Sequence, residues 1–157
     1  MHRARTDWPL LALLVAVVFG IGWLVSSFVV MPAGGWTTDL VLPRFRLPPM
    51  VDGVLSIVLT IAYAVVGWRA ILDRDWHDVA IWLAVLVLSW LFTPLFVVFR
   101  AYYPALAIVV AMAVLLVVLT ARLMRTDGLS ALLTAPSAFY VIYTAVMTLA
   151  VIGLNGL

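Results

Sequence analysis

The stretch Gly34-Gly35-Trp36-Thr37-Thr38-Asp39-Leu40-Val41-Leu42-Pro43-Arg44-Phe45-Arg46-Leu47-Pro48-Pro49 decides how the rest of the chain is read. Two glycines permit tight or left-handed backbone, and three prolines each remove an amide donor and fix one dihedral, so the segment is no helix. A residue that precedes proline is pushed towards extended geometry, which holds Leu42 and Leu47 open and stiff. The sequence on either side is apolar enough to dissolve in lipid and this segment is not, so it belongs at a membrane face. Its apolar members, Trp36, Leu40, Phe45 and Leu47, need a surface to cover. Loops beyond about 12 residues with little regular structure are usually functional or disordered. Residues 31–50 are therefore read as a folded lid over a cavity between transmembrane helices. The plainer alternative is an interfacial loop anchored by Trp36 and Phe45.

The flanking sequence sets the class. The chain is 157 residues long, 67% hydrophobic and 10% charged, with a mean hydropathy of +1.24. Soluble domains average about 45–50% apolar and about 25% charged, so a water-soluble fold is excluded. A helix needs about 20 apolar residues to cross hydrocarbon, which leaves room for five or six spans. Barrel strands would alternate apolar with polar, whereas these runs are apolar all round. The expectation is a single all-α transmembrane domain, residues 1–157, built as a five-transmembrane-helix bundle. Its spans run approximately over 9–30, 51–72, 79–99, 104–123 and 129–154. The first follows His2, Arg3 and Arg5 as a signal peptide would, but exceeds a cleavable apolar region and is read as a retained span.

Within the spans, Ala12, Ala16 and Gly20 fall on one face of the first helix, a small-residue stripe suited to close helix approach within the chain or, failing that, in a homodimer. Asp52 opens the second span, where a carboxylate favours the positive end of the helix dipole. Pro94 and Pro136 lie inside the third and fifth spans and are expected to kink them. Arg69 and residues 73–78 form one polar loop, and Arg122, Arg125 and Asp127 another. With the amino-terminal tail these place six arginines on one face of the membrane, against Arg44, Arg46 and Arg100 on the other. The positive-inside rule makes the amino terminus cytoplasmic, in a cell membrane, with the lid on the opposite side.

Several functions lack machinery. No ionisable group occupies the middle third of any span, which disfavours pumps and ion-coupled transport. Without cysteine, and with His2 and His77 in terminal or loop positions, no metal site assembles; His77 beside Asp75 and Asp78 reads as a solvated loop histidine. No Ser/His/Asp set, paired buried carboxylates or phosphate loop appears, so no catalytic residue is assigned. A net charge of +2 with dispersed arginines gives no nucleic-acid footprint. The membrane interior holds aromatics and small hydroxyls instead. Ser89, Phe92, Thr93 and Phe96 share one face of the third span, as a slot for a flat apolar ligand would. Helix packing is the alternative, because serine and threonine often bond their own helix.

In order along the chain these motifs resemble the TspO/MBR family, the tryptophan-rich sensory proteins that include the mitochondrial translocator protein. Trp36, Leu40 and Pro43 match the family's first-loop motif, followed by Phe45 and Pro48-Pro49. Ser89, Phe92, Thr93, Pro94 and Phe96 stand in the register of its third-span motif, and Pro136, Ser137 and Tyr140 in that of the fifth. The chain departs from the pattern at several positions. One extra residue separates Pro43 from Pro48, and Ile57 stands where a second-span tryptophan is usual. Ser89 and Phe92 replace asparagine and tryptophan, Thr148 replaces an asparagine, and Asn155 occupies the later one. A cholesterol-recognition segment of the animal kind would fall beyond Leu157. The reading is a divergent member.

The resemblance implies a five-helix fold and a receptor or sensor that holds a tetrapyrrole, protoporphyrin IX or haem, or a similar flat molecule under the lid, with no required cofactor. Binding is assigned to Trp36, Phe45, Pro48, Pro49, Ser89, Phe92 and Phe96, through stacking and apolar burial without iron ligation. Alternatives are a transporter of porphyrins or small lipids and sterols, a porphyrin-degrading enzyme, and an accessory membrane subunit without ligand.

Overall fold

Hydrocarbon offers no partner to a bare peptide group, so each apolar run closes its backbone hydrogen bonds within itself, as a helix. The computed structural model describes residues 7–25, 27 and 39–157. Its helices are α1 Trp8–Val25, α2 Pro49–Asp73, α3 Trp76–Val97, α4 Tyr102–Thr126 and α5 Gly128–Asn155. All five are long and apolar enough to cross a membrane, and no strand occurs among the described residues.

Local polar chemistry sets the helix ends. Pro49 opens α2 from its first turn, and Arg74 closes it in left-handed geometry, φ 57°, with its N–H bonded to Ile71 O. The carboxylate of Asp75 then accepts the N–H groups of His77 and Asp78. That cap draws Trp76, His77 and Asp78 into the first turn of α3, so the polar loop expected over 73–78 shrinks to Arg74 and Asp75. Likewise α4 begins at Tyr102, with Pro104 in its first turn, where a missing amide costs nothing. Pro94 and Pro136 lie inside helices that continue past them.

The helices close a ring in the order α1, α2, α5, α4, α3, with α2 also touching α3. The α4–α5 contact is the most extensive. On α4 the buried residues Ala105, Val109, Met112, Leu116, Leu119 and Leu123 alternate steps of four and three, the spacing of a helix that buries a single seam. The facing part of α5 is small: Ser130, Ala131, Thr134, Ser137 and Ala138 are buried, which lets the two backbones approach closely.

α1 is held differently. Leu14 and Val18 turn toward the core. Ala12 and Ala16 are exposed, and a methyl added at Gly20 would meet nothing. The small-residue stripe therefore does not pack within the chain. It stands two residues, about 200° around the helix, from the face that does. The start of α1 is fixed instead by Trp8 stacked on Trp68 at 6.0 Å and by the Trp68 indole donating to Asp7 O.

α2 and α3 are locked by a reciprocal pair. Tyr63 donates its hydroxyl proton to Trp82 O (2.9 Å), and Trp82 Nε1–H donates to Tyr63 O (2.8 Å), with the rings stacked at 5.7 Å. Gly67, one turn on, leaves the space that the indole fills; a methyl there would overlap the ring of Trp82. At the same end, Arg69 pairs with Asp127 at 2.7 Å and Arg122 with the buried Asp78 at 2.6 Å. The Arg69 guanidinium and the Ser130 hydroxyl hold the Asp127 carboxyl down at about 2.

Two outcomes follow. Gly67→Ala drives a methyl into Trp82 and lowers stability by about 1–3 kcal/mol, the usual cost of overpacking, read as a fall in the unfolding temperature in detergent. Because the folded-state pKa of Asp127 lies below its ordinary value of 3.8, its contribution is full above that value and disappears as pH falls towards 2. Asp127→Asn should lower the unfolding temperature at neutral pH and make its decline over the acid range shallower. Parallel curves for the two proteins would show that the pair does not stabilise the fold.

Candidate functional site

On the lid side of the Tyr63–Trp82 lock the helices part around a cavity of about 600 Å³. All five contribute to its wall. α1 supplies Phe19, Gly22 and Trp23, and α2 supplies Ser56, Thr60 and Tyr63. α3 adds Val85, Leu86, Ser89, Trp90 and Thr93, α4 adds Met112 and Leu116, and α5 adds Ser137, Tyr140 and Val141. On α2 the hydroxyl-bearing residues stand at steps of four and three, so one helix face delivers all of them.

The polar atoms of this wall are mostly committed. Thr60 donates to Ser56 O and Ser89 to Leu86 O, each within its own helix. Ser56 donates to Asp52 O (2.8 Å), and its oxygen lies 2.9 Å from the Tyr140 hydroxyl, which donates to the Asp52 carboxylate at 2.9 Å. Asp52 thus does more than complement the start of α2: it ties α2 to α5 beside the cavity. The hydroxyl of Thr93 and the indoles of Trp90 and Trp23 have no hydrogen bond but are half-buried or exposed. Ser137 Oγ is the one fully buried polar atom of the described wall without a partner.

The described part of the lid, residues 39–48, turns tightly over Pro43–Arg46, where Arg46 N–H bonds to Pro43 O (3.1 Å). Pro43 is buried, while Arg44 and Phe45 at the corner are exposed. α5 fastens it twice. The side-chain amide of Asn155 accepts from Val41 N–H (2.8 Å) and donates to Val41 O (3.0 Å), as a neighbouring strand would. Further on, Leu47 N–H donates to the Tyr143 hydroxyl (3.0 Å).

Of the residues expected to hold a ligand, Ser89 lines the cavity. Phe92 and Phe96 do not. They stack on each other at 5.8 Å, and Phe96 meets Tyr102 of α4 edge-on at 5.6 Å. Phe45, Pro48 and Pro49 are exposed and outside the wall, and Trp36 falls outside the described residues. Phe19, Gly22, Trp23, Trp90 and Ser137 are among the wall residues to which sequence reasoning assigned no binding role. Their signal was weak, although the hydroxyl steps Ser56–Thr60–Tyr63 and Ser137–Tyr140–Thr144 were visible. His77 is exposed, Asp75 and Asp78 are engaged by Arg122, and no group of metal-ligating residues occurs among those described.

The sequence model of the TspO/MBR family matches residues 12–153, nearly the whole chain. The chain belongs to the TspO/MBR family. It is an integral multi-pass membrane protein of the sensor, receptor or transporter kind. No curated protein matches it. In this TspO/MBR chain the first-loop proline Pro43 is the buried point of residues 39–48, and Asn155 is one of their two fastenings.

Removing either fastening should be visible locally. Asn155→Ala loses two backbone contacts of about 1 kcal/mol together, so the Val41 amide should exchange with deuterium about fivefold faster. Tyr143→Phe should do the same at Leu47 and leave Val41 as it was. Unchanged exchange at both amides would mean that the lid is held by other contacts.

Proposed function

We propose that this protein is a membrane receptor or sensor that takes a tetrapyrrole, with protoporphyrin IX as the type ligand, into the cavity between its helices. The observation that carries this is the cavity itself: about 600 Å³, within the range of roughly 300–1,000 Å³ that suits a ligand of a few fused rings. Its wall carries Phe19, Trp23, Tyr63, Trp90 and Tyr140, which offer ring faces and edges to a flat molecule. Trp36, Phe45, Pro48 and Pro49 are assigned to the cover of the mouth, and Phe92 and Phe96 to its buttress on α3.

Chemistry favours the metal-free ring over haem. The described wall presents no imidazole or thiolate to an iron, and the hydroxyls of Tyr63 and Tyr140 are spent on Trp82 O and Asp52. Binding would rest on burial and stacking. The propionates of such a ring would stay at the lid side, outside the apolar wall.

Receptor is preferred to transporter because the cavity is blind. Beneath it Val66, Trp82, Leu119, Leu123 and Ala131 form continuous core, and the two arginine–aspartate pairs close the same end. A ligand crossing the membrane would have to part all of these. The basic loops at that closed end support a cytoplasmic placement for it and for the amino terminus, in a cell membrane.

Titration with protoporphyrin IX should quench tryptophan fluorescence saturably. Gly22→Leu puts a side chain into the cavity from a position where a Cβ meets no atom. It should weaken binding about tenfold or more, equivalent to roughly 1.4 kcal/mol, while the unfolding temperature holds or rises. Native-like affinity in a folded Gly22→Leu protein would move the ligand out of this cavity.

A further inference from the structure

Hydroxyl groups in an apolar helix usually dispose of their proton by bonding a carbonyl one turn back, and the pattern holds here for Thr120, Thr134, Thr144 and Thr148 as well as Thr60. Ser137 does not do so. It is 7% exposed, on the α5 wall of the cavity, one residue after Pro136, and its Oγ has no partner. A buried hydroxyl without a partner costs about 1–3 kcal/mol, so its retention on a cavity wall calls for an explanation.

We infer that Ser137 is the polar contact of the ligand site, donating its proton to an uncharged oxygen acceptor, a carbonyl or ether, on a flat apolar ring. The inference rests on the reading of the cavity as the ligand site. The direction of the bond comes from what the neighbouring hydroxyls have left. Ser56, Thr60, Ser89 and Tyr140 have donated their protons to Asp52 or to backbone carbonyls, and so can offer a ligand lone pairs. A ligand donor therefore has several acceptors to choose from. The other uncommitted donors of the wall, Thr93, Trp90 and Trp23, are half-buried or exposed, whereas a ligand acceptor finds a fully buried, uncommitted proton at Ser137, which makes this residue the one that orients it. The absence of net charge follows from the same wall. Its described residues include no arginine, lysine or histidine, and the nearest carboxylate, Asp52, already sits behind Tyr140. An ionised carboxylate within the cavity would give up its hydration without gaining a counter-charge.

A matched pair of probes tests this, 9-fluorenone and fluorene, which differ by one carbonyl oxygen. Their affinities are measured for the wild-type protein and for Ser137→Ala, by displacement of protoporphyrin IX and by direct quenching of tryptophan fluorescence. Taking the ratio between the two proteins for each probe cancels partition into detergent. The expected result is that Ser137→Ala weakens fluorenone about fivefold, the loss of one neutral hydrogen bond, and leaves fluorene unchanged. The same substitution removes an orphaned hydroxyl, so the ligand-free protein should unfold at an equal or higher temperature. Equal ratios for ketone and hydrocarbon overturn the role of Ser137 and leave the cavity reading intact. Failure of both probes and of protoporphyrin IX to bind overturns both together. A lowered unfolding temperature with unaltered fluorenone binding shows that Ser137 serves the fold.

Discussion

The reciprocal bond between Tyr63 and Trp82 is the constraint on which the remaining architecture turns. In lipid there is little hydrophobic drive to bring helices together, so a helix pair that shares few close contacts needs a specific tie. α2 and α3 have such a tie in one place, where each aromatic side chain donates to the other residue's carbonyl and Gly67 admits the indole. Each donated proton meets a backbone oxygen already in a helix, so the bonds add to the helical ladders without breaking them. Toward the end that carries the arginine–aspartate pairs the core is continuous; toward the lid the helices part. One contact therefore serves as the keystone of the bundle and the floor of the cavity.

The distribution of polarity follows from that division. At the closed end, charged groups are paired across elements: Arg69 to Asp127, and Arg122 to Asp78. Along the cavity wall, polar groups are uncharged or act through one another, as in the run from Ser56 through Tyr140 to Asp52. Charge at the water boundary costs little and fixes the helix ends; the same charge along the cavity wall would admit water and lose the apolar surface that a ring system needs. The protein thus separates the part that must hold together from the part that must stay receptive.

Much of this was legible in the sequence because hydrocarbon is an undemanding solvent to read against. The five spans follow from the length and apolarity of the runs, and residues 34–49 could not be a span because of their glycines and prolines. What sequence could not supply was direction. Periodicity placed Ser89, Phe92, Thr93 and Phe96 on a common face, but only the packing of α4 against α3 determines that Phe96 turns to Tyr102 with Phe92 stacked on it, while Ser89 and Thr93 turn to the cavity. The stripe Ala12, Ala16, Gly20 was likewise recognisable as a face, and it proved to be the one opposite Leu14 and Val18. Helix starts moved for a different reason: Asp75 captures two amides ahead of the apolar run, and capping is invisible to hydropathy. The lone hydroxyl of Ser137 belongs to the same class, since its lack of a partner is a property of the assembled bundle.

The clasp between Asn155 and Val41 joins residues 114 positions apart. A ribosome delivering this chain to a membrane therefore releases the lid long before anything exists to hold it. α1 and α2 can insert and pair while the amide and carbonyl of Val41 still face water, and they stay so until α5 has been threaded. The latch on this loop is thus supplied by the last of the five spans, and a product cut short before Asn155 would keep its spans while lacking it.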